Sequence, residues 1–203
     1  MKLKVGADPF PPYQYYDDKG VLQGFDYDLI DSVIDSMGYS AEYYLDDWSE
    51  IEKKLINKEI DVAFQVQKTQ EREDMYFFSD LFRSAITTVV TVDDYVESYD
   101  ELVKNDFKLA VISGYKYGDT IDQIPDGIKV FCKDQLEQLE MILDKKANFA
   151  VVDLGVFNYQ LETSIDDNFK VLRHLDFDRP LHVVFNNKNL RDEFNDKLGA
   201  FNR

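Results

Sequence analysis

Ile60-Asp-Val-Ala-Phe-Gln-Val-Gln-Lys-Thr-Gln-Glu-Arg72 is the stretch on which the fold turns. Asp61–Val66 reads as a short, largely apolar strand. Gln65–Arg72 lies where that strand gives way to a turn or helix. In open α/β sheets ligands collect outside the carboxyl ends of strands, so this junction is a candidate site. Arg72 offers a planar fork of donors that matches a carboxylate bidentately. The alternative for the same residue is a surface ion pair with Glu71, Glu73 or Asp74.

Upstream, strand and helix patterns alternate. Leu3–Gly6 reads as a strand, and Pro9, Pro11 and Pro12 then impose an extended loop. Tyr13–Tyr16 continues as a short strand into a turn. A helix starts near Asp26, with Leu29, Ile30, Val33, Ile34 and Met37 at helical spacing and Gly38 as its stop. Ala41–Leu45 reads as a strand, and Trp48, Ile51, Leu55 and Ile56 mark a second helix. Downstream, the β-branched run Ile86–Val92 predicts a strand, followed by the acidic stretch Asp93–Glu101. A second set then begins: strand Lys108–Ile112, helix from about Tyr115, strand Ile128–Phe131, helix Gln135–Leu143, strand Phe149–Val152, helix Gly155–Leu161 and strand Phe169–Leu172. Leu181–Phe185 and Leu190–Phe201 predict a last strand and a closing helix. The pattern is α/β with two sheets, and no Gly/Ser tether divides the chain.

The charge is one-sided: 40 acidic side chains against 23 basic ones give −17 over 203 residues. Such a surface repels phosphate backbones and anionic headgroups, which excludes nucleic acid as a partner. No apolar run approaches the roughly 18 residues needed to span a bilayer. Cys132 is the one cysteine, so no internal disulfide is expected. No signal peptide is visible. Either the protein is cytosolic, or a targeting segment precedes it and has been removed. Gly114-Tyr-Lys-Tyr-Gly118 matches no phosphate-cradling glycine pattern, and a Gly-x-Ser-x-Gly elbow is missing. His174 and His182 lack metal-ligand spacing. The pairs Asp46/Asp47, Asp93/Asp94 and Asp166/Asp167 lack calcium-loop spacing and read as solvated turns. No cofactor and no metal are expected.

Two further places stand out. In Asp8-Pro-Phe-Pro-Pro-Tyr13 the prolines hold Phe10 and Tyr13 with little entropy left to lose, which suits a stacking surface; the other reading is that they plug the core. Asp153 closes the apolar run Ala150–Val152, where its carboxylate either meets an ammonium group in a cleft or caps the following helix.

Taken in order, several segments resemble the bacterial family of amino-acid-type extracellular solute-binding proteins. They are Val5–Tyr13, Gly24-Phe-Asp-Tyr-Asp-Leu29, Trp48 opening a helix, Ile60–Ala63, Thr69-Gln-Glu-Arg72, Phe78-Ser-Asp-Leu-Phe82, Ser113–Gly118 and Asn148–Asp153. The resemblance implies the two-lobed type II periplasmic-binding fold. One lobe would be residues 1–90 plus 179–203 and the other 93–176, with hinge crossovers near 91–92 and 177–178 and a ligand enclosed between lobes. It implies that Arg72 grips the ligand's α-carboxylate, Asp153 holds its α-ammonium, and Tyr13 and Phe10 flank its side chain. Amides around Gly114 and Tyr115 add donors, and Trp48 is a further wall or a buried helix anchor. Gln65, Val66, Gln67 and Lys68 stand where relatives carry small residues. They would reshape the pocket, with Gln65 and Gln67 among its lining. The implied role is capture of an amino-acid-like solute by a periplasmic or extracellular monomer, for a membrane permease or as a sensor domain. Alternatives are a non-amino-acid carboxylate or amine as ligand, or a dehydratase on the same fold, for which neither histidine lies in a cleft motif.

Overall fold

The computed structural model describes residues 1–164 and 168–201; the Asp166/Asp167 pair lies outside them. The chain runs β1 (Lys2–Ala7), β2 (Tyr15–Tyr16), β3 (Leu22–Gln23), α1 (Phe25–Ser36), β4 (Ser40–Leu45), α2 (Trp48–Ile56), β5 (Val62–Gln67), α3 (Gln70–Met75), β6 (Phe77–Phe78) and β7 (Arg83–Thr91). It continues with α4 (Tyr99–Lys104), β8 (Leu109–Ile112), α5 (Asp119–Asp122), β9 (Lys129–Cys132), α6 (Gln135–Leu143), β10 (Phe149–Asp153), α7 (Leu154–Thr163), β11 (Lys170–Val171), β12 (Phe177–Phe185) and α8 (Lys188–Phe201). Two compact units result: Met1–Ser84 with Pro180–Arg203, and Ala85–Arg179. The chain passes from one unit to the other twice, inside β7 and inside β12.

In the first unit, β1 lies between β4 and β5, parallel to both, and the Leu181–Phe185 part of β12 runs antiparallel to β5. The expected helical stripe is met: Ile30, Val33 and Ile34 of α1 are fully buried, as are Ile51 and Leu55 of α2. Phe185 and Phe194 pack ring against ring at 5.2 Å, seating α8 on the sheet.

Gly24 fixes how α1 begins. Its φ is +131°, and a Cβ there would stand 2.2 Å from the Tyr13 carbonyl oxygen, so only glycine fits. The close approach lets Asp26 and Tyr27 N–H donate to that carbonyl at 2.9 and 3.1 Å, while Phe25 N–H donates to Pro12 at 3.2 Å. Carbonyls of the proline loop thereby satisfy α1's first amides in place of a side-chain cap.

In the second unit, β8 lies between β9 and β10, parallel to both, and β10 pairs antiparallel with β7. One side of this sheet buries Leu109, Val111, Phe149 and Val151; the other buries Ala110, Ala150, Val152 and Phe157. The helix expected from about Tyr115 does not form there. Gly118 at φ +96° breaks the chain direction, and Asp122 accepts from the Tyr117 and Gly118 amides at 3.0 and 3.1 Å, so the segment is a loop and α5 starts only at Asp119. The acidic stretch ends in the unexpected helix α4, whose N-cap Ser98 accepts from Glu101 N–H at 3.2 Å.

Candidate functional site

Three clusters of buried polar side chains hold the candidate residues. The first surrounds the proline loop of the first unit. Here β5 advances three residues, from Ala63 to Val66, while β12 advances two, from Val184 back to His182. This bulge carries Gln65 at φ +64°, a left-handed backbone at a non-glycine residue. The extra residue re-aims the Gln65 side chain: its Nε2 donates to Asp26 Oδ2 at 2.6 Å and to Gln14 Oε1 at 2.8 Å. Arg83 Nε donates to the same Asp26 oxygen at 2.9 Å, and its guanidinium carbon lies 3.7 Å from the Tyr13 ring centroid. Phe10 is buried and stacks near Tyr13 at 6.1 Å. Tyr13 therefore serves as a platform for an internal cation, and Phe10 contributes to the unit's own packing.

The second cluster, also in the first unit, centres on Arg72. Thr69 caps α3 by accepting from the Arg72 amide at 3.2 Å, so the Thr-x-x-Arg spacing sets the arginine in the helix's first turn. Arg72 is only 4% exposed. Its guanidinium reaches an acid distant in sequence: Nη2 and Nε donate to Glu52 Oε1 of α2 at 2.9 and 3.2 Å. Nη1 donates to the Gln67 carbonyl at 3.2 Å, and the guanidinium carbon sits 5.2 Å from the Trp48 ring. Trp48 is thus both a buried first residue of α2 and a wall for the arginine. Trp48 Nε1, Gln67 Oε1 and Tyr76 OH are buried with no hydrogen-bond partner among the described residues. Burial, and then the Glu52 charge, raise the Tyr76 phenol above its ordinary value. Lys68 pairs with Glu73 at 2.7 Å.

The third cluster belongs to the second unit, at the carboxyl ends of the parallel strands β8 and β10. Asp153 ends β10 and caps α7, its Oδ1 accepting from Val156 N–H at 3.0 Å. Gln135 grips its backbone, accepting from Asp153 N–H at 2.8 Å and donating to its carbonyl at 3.3 Å. Arg179 Nη2 stands 3.9 Å from Asp153 Oδ2, and both side chains are buried. The Arg179 guanidinium also lies 5.6 and 5.8 Å from the rings of Tyr115 and Tyr117. Gly114, at φ +76°, turns the chain after β8 so that Tyr115 N–H donates to the Ile112 carbonyl at 3.2 Å. Burial raises the Tyr117 phenol, which accepts from Ile112 N–H at 2.9 Å.

The structure therefore gathers Arg72, Gln67 and Trp48 in one cluster, Tyr13, Phe10 and Gln65 in another, and Asp153, Gly114 and Tyr115 in a third. Sequence reasoning missed Glu52, Asp26, Arg83 and Arg179. Asp26 lies inside the quoted Gly24–Leu29 segment; the other three carry no local signal, because their partners are 20 or more positions away. Among the described residues no group of His, Cys, Asp or Glu is placed to hold a metal ion, and no helix is long and apolar enough to cross a membrane.

Residues 3–203 match the family described as bacterial extracellular solute-binding proteins, family 3. The L-cystine-binding protein TcyA of Bacillus subtilis (strain 168) is 30% identical over 184 residues, 83% of this chain and 63% of that protein. The chain spans about six-tenths of the length of two curated relatives it matches and 40% of a third. An ancestral arginine-binding protein bound to arginine superposes with a TM-score of 0.87 at 22% identity, covering 99% of this chain and 92% of that one. A histidine kinase sensor domain with similarity to periplasmic binding proteins superposes at 0.90 and 18% identity, covering 100% and 90%. At these identities the superpositions establish the two-lobed α/β fold of periplasmic binding proteins.

Proposed function

The chain belongs to the bacterial extracellular solute-binding proteins, family 3, and from that premise we propose that it reversibly captures a small amino-acid-like zwitterion outside the cytoplasm. Arg72 takes the ligand carboxylate and Asp153 the ammonium group. One ligand thus engages both units and favours the state in which both contacts are made. The two crossings of the chain between units, inside β7 at Ser84–Ala85 and inside β12 at Arg179–Pro180, serve as the hinge. The observation that carries the reading is Arg72 itself: a guanidinium almost wholly buried, held by a capped helix turn at the carboxyl end of a parallel strand. A buried fork of donors in that place is suited to a carboxylate guest, and a sugar would not need it.

The reaction is binding alone, with no bond made or broken. Relatives named for L-cystine binding and for a histidine kinase sensor domain support two destinations for the captured solute, a membrane permease or a fused output domain. The test is a thermal-shift screen against the amino acids and L-cystine, followed by calorimetry. Ligand at 100 times its dissociation constant adds about 2.7 kcal/mol to stability. Arg72→Ala is expected to weaken binding roughly 30- to 4,000-fold, from the 2–5 kcal/mol cost of removing one buried charge partner, while the fold persists. Retained affinity in that variant would remove Arg72 from the site.

A further inference from the structure

Arg72 already holds a carboxylate. A single oxygen, Glu52 Oε1, accepts from both Nε and Nη2, the two donors that lie side by side on one edge of the guanidinium. That edge is one of the two on which a guanidinium meets a carboxylate bidentately, and the other includes Nη1. Nη1 points instead to the Gln67 carbonyl, a backbone group that cannot leave without disturbing β5. Glu52 is different: it sits on a flexible side chain in the middle of α2, and that side chain is 26% exposed against 5% for Arg72. It can turn outward to water without stranding a buried charge, provided another carboxylate takes its place.

The surroundings of the pair are richer in polar groups than Glu52 satisfies. Trp48 Nε1, Gln67 Oε1 and Tyr76 OH belong to residues that stack on, hydrogen-bond to or directly follow the Arg72 turn. None has a hydrogen-bond partner among the described residues. Buried polar atoms left in this way call for a partner that brings both donors and acceptors.

Resting on the ligand reading above, we propose that Glu52 is a resident competitor for the Arg72 fork, a specificity-determining residue that an incoming ligand carboxylate must displace. Exchange of one carboxylate for another at the same donors gives little net gain by itself. A bare monocarboxylate such as acetate is therefore rejected. A zwitterion with further contacts succeeds, and its α-amide, which cannot replace Glu52, does not profit from the site.

Calorimetry on the wild type, Glu52→Gln, Glu52→Asp and Arg72→Ala tests this. The probes are those of the twenty amino acids and L-cystine that shift the melting temperature, together with their α-amides and acetate. Glu52→Gln is expected to bind the carboxylate probes roughly ten-fold more tightly than wild type, with the amides unchanged. A brace that merely orients Arg72 gives the opposite sign, so weaker or unchanged binding by a folded Glu52→Gln protein overturns the proposal. Should that variant not fold, Glu52→Asp, whose carboxylate is drawn back by one methylene, is expected to tighten binding to a smaller degree, and failure to do so overturns it equally. Undiminished binding by Arg72→Ala defeats the ligand reading itself, whatever Glu52 does. Silence from every probe with every variant defeats both.

Discussion

Replacing Asp26 by Asn tests whether the first cluster is an energetic unit. Asp26 is 3% exposed, and one of its oxygens accepts from both Arg83 Nε and Gln65 Nε2. Asparagine keeps the shape and an acceptor but removes the charge that offsets the Arg83 guanidinium. Breaking a buried pair costs about 3–5 kcal/mol. The Arg83 side chain is 17% exposed and rests on the Tyr13 ring, so the lower end, about 3 kcal/mol, applies. Trp48 is the sole tryptophan and lies in the first unit, so its fluorescence reports that unit's unfolding. With a urea slope near 3 kcal/mol/M, the midpoint should fall by about 1 M. Adding Arg83→Met removes the guanidinium that Asp26 held and places a thioether on Tyr13; the double variant should recover at least about half of the loss. A midpoint within ~0.2 M of wild type for Asp26→Asn, or a double variant worse than the single, would refute the coupling.

Two more outcomes follow from the second unit. Arg179→Met leaves the Asp153 carboxylate buried without the cation 3.9 Å away. Because that distance exceeds a hydrogen bond, the expected loss is about 2 kcal/mol, read by circular dichroism in urea. Burial, followed by the charges of Glu137 and Asp134, pushes the Cys132 thiol up to about 12. The unfolded thiol ionises near 8.5, so between the two values the unfolded chain has lost a proton that the folded chain keeps. Stability from this group is intact below about pH 8.5 and drains away as pH rises. The urea midpoint should drop between pH 8 and 10 in the wild type and drop less in Cys132→Ala.

Alternation of apolar strands with amphipathic helices was legible because most core positions recur at the right period; Ile30, Val33 and Ile34 needed only counting. The loop after β8 was not, because Gly118 and the Asp122 carboxylate override the helical look of Tyr115–Tyr117. Helix α4 hid at the end of an acidic run, and its own single buried residue is Leu102. Arg72 and Asp153 could be named as candidates from type and place, with a surface ion pair and a helix cap as the competing readings, and only the family resemblance implied their roles. Their companions could not, since Glu52 and Arg179 reach them across the fold. The Gln65 bulge leaves no compositional mark, because the residue in the left-handed conformation is not glycine.

The two passages of the chain through β7 and β12 also set an order of assembly on the ribosome. Ala85–Arg179 emerges as one uninterrupted segment, and every strand of its sheet is available before β12 is finished. The first unit has to wait: its sheet lacks the strand Leu181–Phe185, and α1 lacks α8, until the residues after the second unit have been made. During that interval the unfinished edge of β5 is exposed to solvent, and it is there that a nascent chain would most need a chaperone.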